Sequence, residues 1–159
     1  MGAPNSVPDP VELLRELLRF DTTNPPGNER ACVERVQAIL SAAGIESELY
    51  ARDPERPNLI ARLGDGASPL LLYGHVDFVP TAGQQWSRPP FAGEVADGMV
   101  WGRGALDMKS GVAMMIAALV RAKEEGAVPP AGVMLAVLAD EERGGDFGAK
   151  FLAREHPNV

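Results

Sequence analysis

The sequence predicts an α/β protein: a three-layer αβα sandwich around a mainly parallel central sheet. Three observations carry that expectation. Pro69 to Tyr73 (PLLLY) and Gly132 to Ala139 (GVMLAVLA) are short apolar runs, the mark of strands buried on both faces. Gly111 to Glu125 is a strongly apolar helical segment, stopped by Gly126 and Pro129-Pro130. Strand-like and helix-like segments alternate along the chain. At 159 residues the chain suits one domain with a sizeable core.

Residues 1–8 read as a flexible arm, and residues 9–159 as the folded part. Asp9 can cap a first helix, with Pro10 at its first position and Glu12 placed for a capping box. Val11, Leu14, Leu17 and Leu18 then form an apolar stripe. Asp21 to Gly27 (DTTNPPG) is a loop. A second helix spans about 28–43, with Val33, Val36, Ile39 and Leu40 on one face and Gly44 to end it. Residues 45–51 alternate as a half-buried strand does, and 58–63 is another strand candidate. Asp97-Gly98 marks a hairpin within 94–101. A last helix covers about 145–155. No internal repeat or low-complexity segment is present.

A net charge of −7 argues against nucleic acid, which needs clustered Lys and Arg. The longest apolar stretch, 112–120, is too short for a membrane span. No secretory leader is recognisable, so the expectation is a soluble cytoplasmic protein. The single cysteine, Cys32, reads as a small core residue, and His156, near the C-terminus, as a surface residue.

Three polar clusters stand at the ends of these elements. In Gly74-His75-Val76-Asp77, the extended chain points His75 and Asp77 to one side. A carboxylate there can fix the imidazole tautomer and leave the other nitrogen for a metal, although a hydrogen-bonded structural histidine fits the same pattern. Asp107 precedes a helix start, where it can ligate a metal or simply cap the helix. A phosphate loop at 102–111 is a poorer fit. Lys109-Ser110 supplies its end, but Met108 stands where glycine is needed. Asp140-Glu141-Glu142 follows a buried strand, where open α/β sheets bind ligands. Glu141 and Glu142 can divide their labour, one binding metal and the other taking a proton from water. A His/Asp/Glu set suits Zn²⁺ and also admits Mn²⁺ or Co²⁺.

The order GHVDFVP, W-S-R-P-P-F, GEVADGMVWGRGALDMKSG and LADEERGG resembles the M20 metallopeptidases. The resemblance covers about 9–157, and the run from Trp86 to Asp107 is most similar to the aminoacylase-1-like branch. It implies a zinc-peptidase-like catalytic domain that hydrolyses amide or peptide bonds of small peptides or N-acyl amino acids. By this resemblance His75, Asp107 and Glu142 are metal ligands. Asp107 bridges two Zn²⁺ ions and precedes a cis peptide to Met108. Asp77 stands behind His75, and Glu141 is the general base. Gly144 and Gly145 permit the tight turn. The resemblance also implies that these residues are the N-terminal part of a catalytic domain. A further acidic ligand, a late histidine and a lid domain that carries dimer contacts would then lie beyond Val159. The 159 residues alone are accordingly expected to be inactive and to leave an unpaired sheet edge. A non-catalytic module that keeps the fold and binds a partner or one metal is the alternative. Trp86 and Phe91 either wall the site or simply pack.

Overall fold

A computed structural model describes residues 7–159. Of the arm expected over 1–8, residues 1–6 lie outside the described residues, while Val7 packs against the core. Helix α1 (Pro10–Leu18) starts at Asp9, whose side chain accepts from the N–H groups of Val11 and Glu12. Glu12 pairs with Arg15. The apolar stripe is Leu13, Leu14, Leu17 and Leu18. Val11, expected on it, is exposed, because Leu13 faces the core in its place. Helix α2 (Arg30–Ala42) buries Cys32, Val33, Val36 and Leu40.

Strands β1 (Ser47–Tyr50), β2 (Asn58–Leu63), β3 (Leu70–His75) and β6 (Val133–Leu138) form one sheet in the order β1-β2-β6-β3. The α/β class holds, but the sheet is mixed. Only β3 and β6 run parallel, and the pairs β1–β2 and β2–β6 are antiparallel. The difference lies in the connections. The short loop after β1 turns the chain straight back, whereas β3 reaches β6 by a long crossover through helix α3 (Ser110–Glu125). Within that crossover, β4 (Glu94–Ala96) and β5 (Met99–Trp101) make the expected hairpin around Asp97-Gly98.

The helices lie in layers on the two faces of the sheet. On one face α1, α2 and α3 pack over Leu59, Ala61, Leu63, Val133, Leu135 and Val137. On the other, Ile60, Ala136 and Leu138 meet Leu152 of the short helix α4 (Ala149–Glu155). The alternation of β2 and β6 residues between these two clusters is the period-two geometry of strands. β6 is buried as expected. β3 is not: it is an edge strand among the described residues, with Leu70, Leu71 and Tyr73 57%, 49% and 62% exposed. An apolar run reports a capacity for burial, and the neighbours decide whether it is used.

Candidate metal centre

The carboxyl ends of the parallel pair β3 and β6 lie side by side, with His75 in register with Leu138. This pairing brings the GHVD and DEE segments together. Gly74 makes room for the segment that packs over β3: a β-carbon there would lie 2.9 Å from Met108 Cε and 3.0 Å from Met115 Cε. The third segment arrives through a distorted turn over Ala105–Lys109, just before α3, in which Asp107 (φ −119°, ψ 100°) and Met108 leave helical geometry. The Asp107–Met108 peptide is cis, as the resemblance implied.

All five residues singled out in the sequence converge here. His75 is 4% exposed. Its Nδ1 lies 3.0 Å from the Asp77 carbonyl oxygen and 3.3 Å from Asp77 Oδ1. Its Nε2 faces outward, 3.2 Å from Asp107 Oδ1 and 3.7 Å from Glu141 Oε2. One ligand atom each from His75, Asp107 and Glu142 lie within 4.8 Å of one another. A mixed nitrogen and oxygen donor set of this kind fits a divalent cation such as Zn²⁺, Mn²⁺ or Co²⁺. Asp107 does not spend its carboxylate on helix capping, because it is turned toward His75.

Asp77 is the junction behind the centre. Besides His75, its carboxylate accepts from the backbone N–H of Glu141 at 3.0 Å, that of Glu142 at 3.2 Å and the Asn24 amide at 2.8 Å. The acidic pair sits on a single helical turn (Glu141–Arg143), entered through Asp140 at φ 63° and left through Gly144 and Gly145 at φ 103° and 76°. Both glycines occupy the left-handed region, where a side chain is strained. The tight turn expected of them is therefore present, closed by Gly145 N–H donating to Asp140 O.

Electrostatics separate the residues. Burial lowers the His75 pKa, but the hydrogen bond and charge of Asp77, aided by Glu141, raise it from 6.5 to about 9. Burial pushes the Asp77 carboxyl up, yet hydrogen bonds from His75, Asn24 and Glu141 N–H hold it below its usual value. Glu142 is pushed up by burial, with the charges of Asp107, Asp77 and Glu141 adding to the effect against that of His75. Crowded acids beside one imidazole are the electrostatic complement of a cation.

Other expectations meet mixed outcomes. Lys109 is fully buried, and its ammonium donates to the carbonyls of Leu17 at 2.9 Å and Phe20 at 3.0 Å. It is therefore not offered to a phosphate. Cys32 is a core residue whose thiol burial pushes up to about 11. His156 is not a free surface residue, because its ring packs edge-on against Tyr50 and Phe151. Phe91 stacks on Phe78, and Trp86 lies under the Arg103 guanidinium. Both therefore have packing partners.

Sequence reasoning missed the layer beneath. Arg56 makes a two-pronged pair with Glu29, at 3.0 and 2.7 Å, and lies 3.2 Å from Asp140. Asn24 reaches both Asp77 and Asp140. The only hint in the sequence was the polar loop DTTNPPG, which carries no spacing that assigns Asn24 a partner.

Known proteins share both sequence and fold with this chain. A succinyl-diaminopimelate desuccinylase from Paracoccus denitrificans (strain Pd 1222) is 39% identical over 148 residues, 92% of this chain and 38% of that protein. One from Cereibacter sphaeroides (strain ATCC 17029) is 44% identical over 138 residues, covering 84% of this chain and 35% of its own. The chain thus spans well under half the length of these curated relatives. Their name differs from the aminoacylase-1-like branch noted for 86–107. Among solved structures, the M20 family metallo-carboxypeptidase Sso-CP2 from Sulfolobus solfataricus matches with a TM-score of 0.81 at 19% identity, over 93% of this chain and 34% of that one. Human carnosine dipeptidase 1 matches with a TM-score of 0.77 at 21% identity, over 92% and 35%. At these identities the two structures speak for the fold. The profile of Peptidase family M20/M25/M40 matches residues 71–158, more than half of the chain and the stretch that holds all five site residues, and the chain belongs to that family.

Proposed function

We propose that this chain forms the cation-binding part of a hydrolase that cleaves amide or peptide bonds in N-acyl amino acids or small peptides. The observation that carries the reading is the convergence of His75, Asp107 and Glu142, with ligand atoms within 4.8 Å of one another. The curated relatives named succinyl-diaminopimelate desuccinylase support the bond type, since a desuccinylase cleaves an amide. In this reading His75 Nε2 and the Asp107 and Glu142 carboxylates hold one or two divalent cations, Zn²⁺ first and Co²⁺ or Mn²⁺ as substitutes. Bound there, the cations polarise the scissile carbonyl and make water a stronger acid.

The chain's own residues do the rest. Asp77 fixes the His75 ring so that Nε2 points into the site. Glu141, exposed and 3.7 Å from that nitrogen, takes the proton from the attacking water and returns it to the leaving amine. Asp107 and Glu142 hold position and charge. The 159 residues supply three ligand side chains together, and the family resemblance implies more. In this reading turnover needs those further ligands, and these 159 residues alone are expected to bind cations weakly and turn over poorly. No helix among the described residues is long and apolar enough to cross a membrane.

The test is Glu141→Gln in a full-length protein, assayed on N-succinyl and other N-acyl amino acids and on dipeptides. The expected loss in kcat is about 10²–10⁴-fold with metal content retained. Near wild-type turnover would remove Glu141 as the base.

A further inference from the structure

We propose that Asn24 is a positioning residue of this centre: its amide clamps the buried Asp77 and Asp140 carboxylates together and, through Asp77, holds the His75 ring and the Glu141–Glu142 backbone in place. The inference rests on the reading of the site given above and deepens it.

Asn24 lies in the 21–27 loop, far from the cluster in sequence, but its backbone is pinned beside the exit of β3. Phe78 N–H donates to Thr22 O at 3.2 Å, Asn24 N–H to Phe78 O at 2.9 Å, and the Thr22 hydroxyl to Val76 O at 2.5 Å. The side chain is thereby delivered between the ends of the two parallel strands. A primary amide carries two hydrogens, and here both are used. Nδ2 donates to Asp77 Oδ2 at 2.8 Å and to Asp140 Oδ1 at 3.0 Å. At 2% exposure, bulk water cannot stand in for it.

The two carboxylates differ in anchorage. Asp140 is held from behind by Arg56 at 3.2 Å, and its Oδ2 accepts from Phe147 N–H at 3.1 Å. Among the described residues, no lysine or arginine forms an ion pair with Asp77. What it faces are the groups of the site: His75, and the N–H groups of Glu141 and Glu142. Asn24 therefore ties the carboxylate that otherwise faces only the site's own groups to the one anchored in the core. It also places N–H dipoles between two like charges that otherwise repel in a water-poor environment. Without that donor, Asp77 keeps Glu141 N–H and His75 on Oδ1 and only the Glu142 N–H on Oδ2, so it is held by the site's own groups alone and loses its tie to Asp140. Serine reaches one carboxylate at most, and aspartate adds a third negative charge.

The experiment uses the whole 159-residue chain labelled with ¹⁵N-histidine. Its two histidines are told apart by H156Q. The first readout needs no metal: solvent exchange of the His75 Nδ1 proton and the His75 ring nitrogen shifts. The second is Co²⁺ alone, titrated by its visible absorption. Asn24→Ala is expected to speed exchange, move the ring shifts and weaken Co²⁺ binding about 10–100-fold. Val36→Ala, a buried core truncation of α2 remote from the site's hydrogen bonds, is expected to leave the ring shifts and the Co²⁺ spectrum unchanged. A folded Asn24→Ala chain with wild-type ring shifts and exchange overturns the proposal. If that variant does not fold, Asn24→Ser, which keeps one donor, is read in the same way and should be intermediate. Failure of both to fold makes the residue structural and also ends the proposal. If the wild-type chain takes up no Co²⁺ yet Asn24→Ala still moves the His75 ring, the metal reading fails and the positioning role stands.

Discussion

Two sets of acidic residues meet at the carboxyl ends of β3 and β6, and the fold treats them in opposite ways. Glu29, Asp77 and Asp140 are buried, and donors take up their oxygens: Arg56, Asn24, His75 and backbone N–H groups. A few ångströms further out, the Asp107 and Glu141 side chains are 75% and 57% exposed. A buried carboxylate without donors carries a heavy desolvation penalty, so the inner set is tolerable only when fully paired. A metal ligand or a base needs a lone pair left free, which is cheap only where water can reach it. Scaffold and chemistry are thus stacked, with Asp77 and His75 as the contact between them.

That contrast should break most strongly at Arg56. Arg56→Met keeps much of the side-chain volume beside Phe147 but leaves Glu29 and Asp140 without their cation. A stability loss of about 3–5 kcal/mol is expected, read by urea unfolding. A loss comparable to that of an ordinary surface substitution would mean that the inner set is not held by pairing. The outer set should behave in the reverse manner. Asp107→Asn and Glu142→Gln are each expected to weaken Co²⁺ binding by about tenfold or more while changing unfolding stability by no more than about 0.5 kcal/mol. Calorimetric titration beside the same urea curves measures both.

Protonation sharpens the comparison, with the smallest expected effect. The metal-free fold raises the His75 pKa from 6.5 to about 9, so the unfolded chain gives up its proton first. The stabilisation is complete below about pH 6.5 and disappears as pH rises through about 9. A cation needs the neutral imidazole, so its affinity rises over the same window in which metal-free stability falls. Thermal unfolding with and without Co²⁺ between pH 6 and pH 10, taken as approximate limits, should show the two trends crossing. Parallel trends would mean that His75 is not the coupling group.

The residues of the centre itself were the legible ones. His75 ends an apolar run, Asp107 precedes a helix start, and Glu141 and Glu142 follow the other apolar run. Each therefore stands out as a polar residue where an element stops. The pairings of Arg56, Glu29 and Asn24 were silent because their partners are distant in sequence. Arg56 and Glu29 are 27 positions apart, Asn24 and Asp77 are 53 apart, and Asn24 and Asp140 are 116 apart. In the sequence Glu29 and Arg56 look like ordinary surface charges and Asn24 like a turn residue. The partners of Lys109 were silent for the same reason. Beside Ser110 it matches the end of a phosphate loop that Met108 already argues against, and only packing shows its ammonium committed to the end of α1.

By itself the sequence determined what depends on near neighbours: the capped start of α1, the Asp97-Gly98 hairpin, the strand and helix segments, and the identity of the reactive side chains. Tertiary structure alone decided that the sheet is mixed, that β3 lies at an edge, and that an asparagine from an unremarkable loop closes the gap between two buried acids. Local propensity acts over a few residues and can be read from their order. Burial and pairing depend on which distant segment arrives alongside, and that is decided when the whole chain packs.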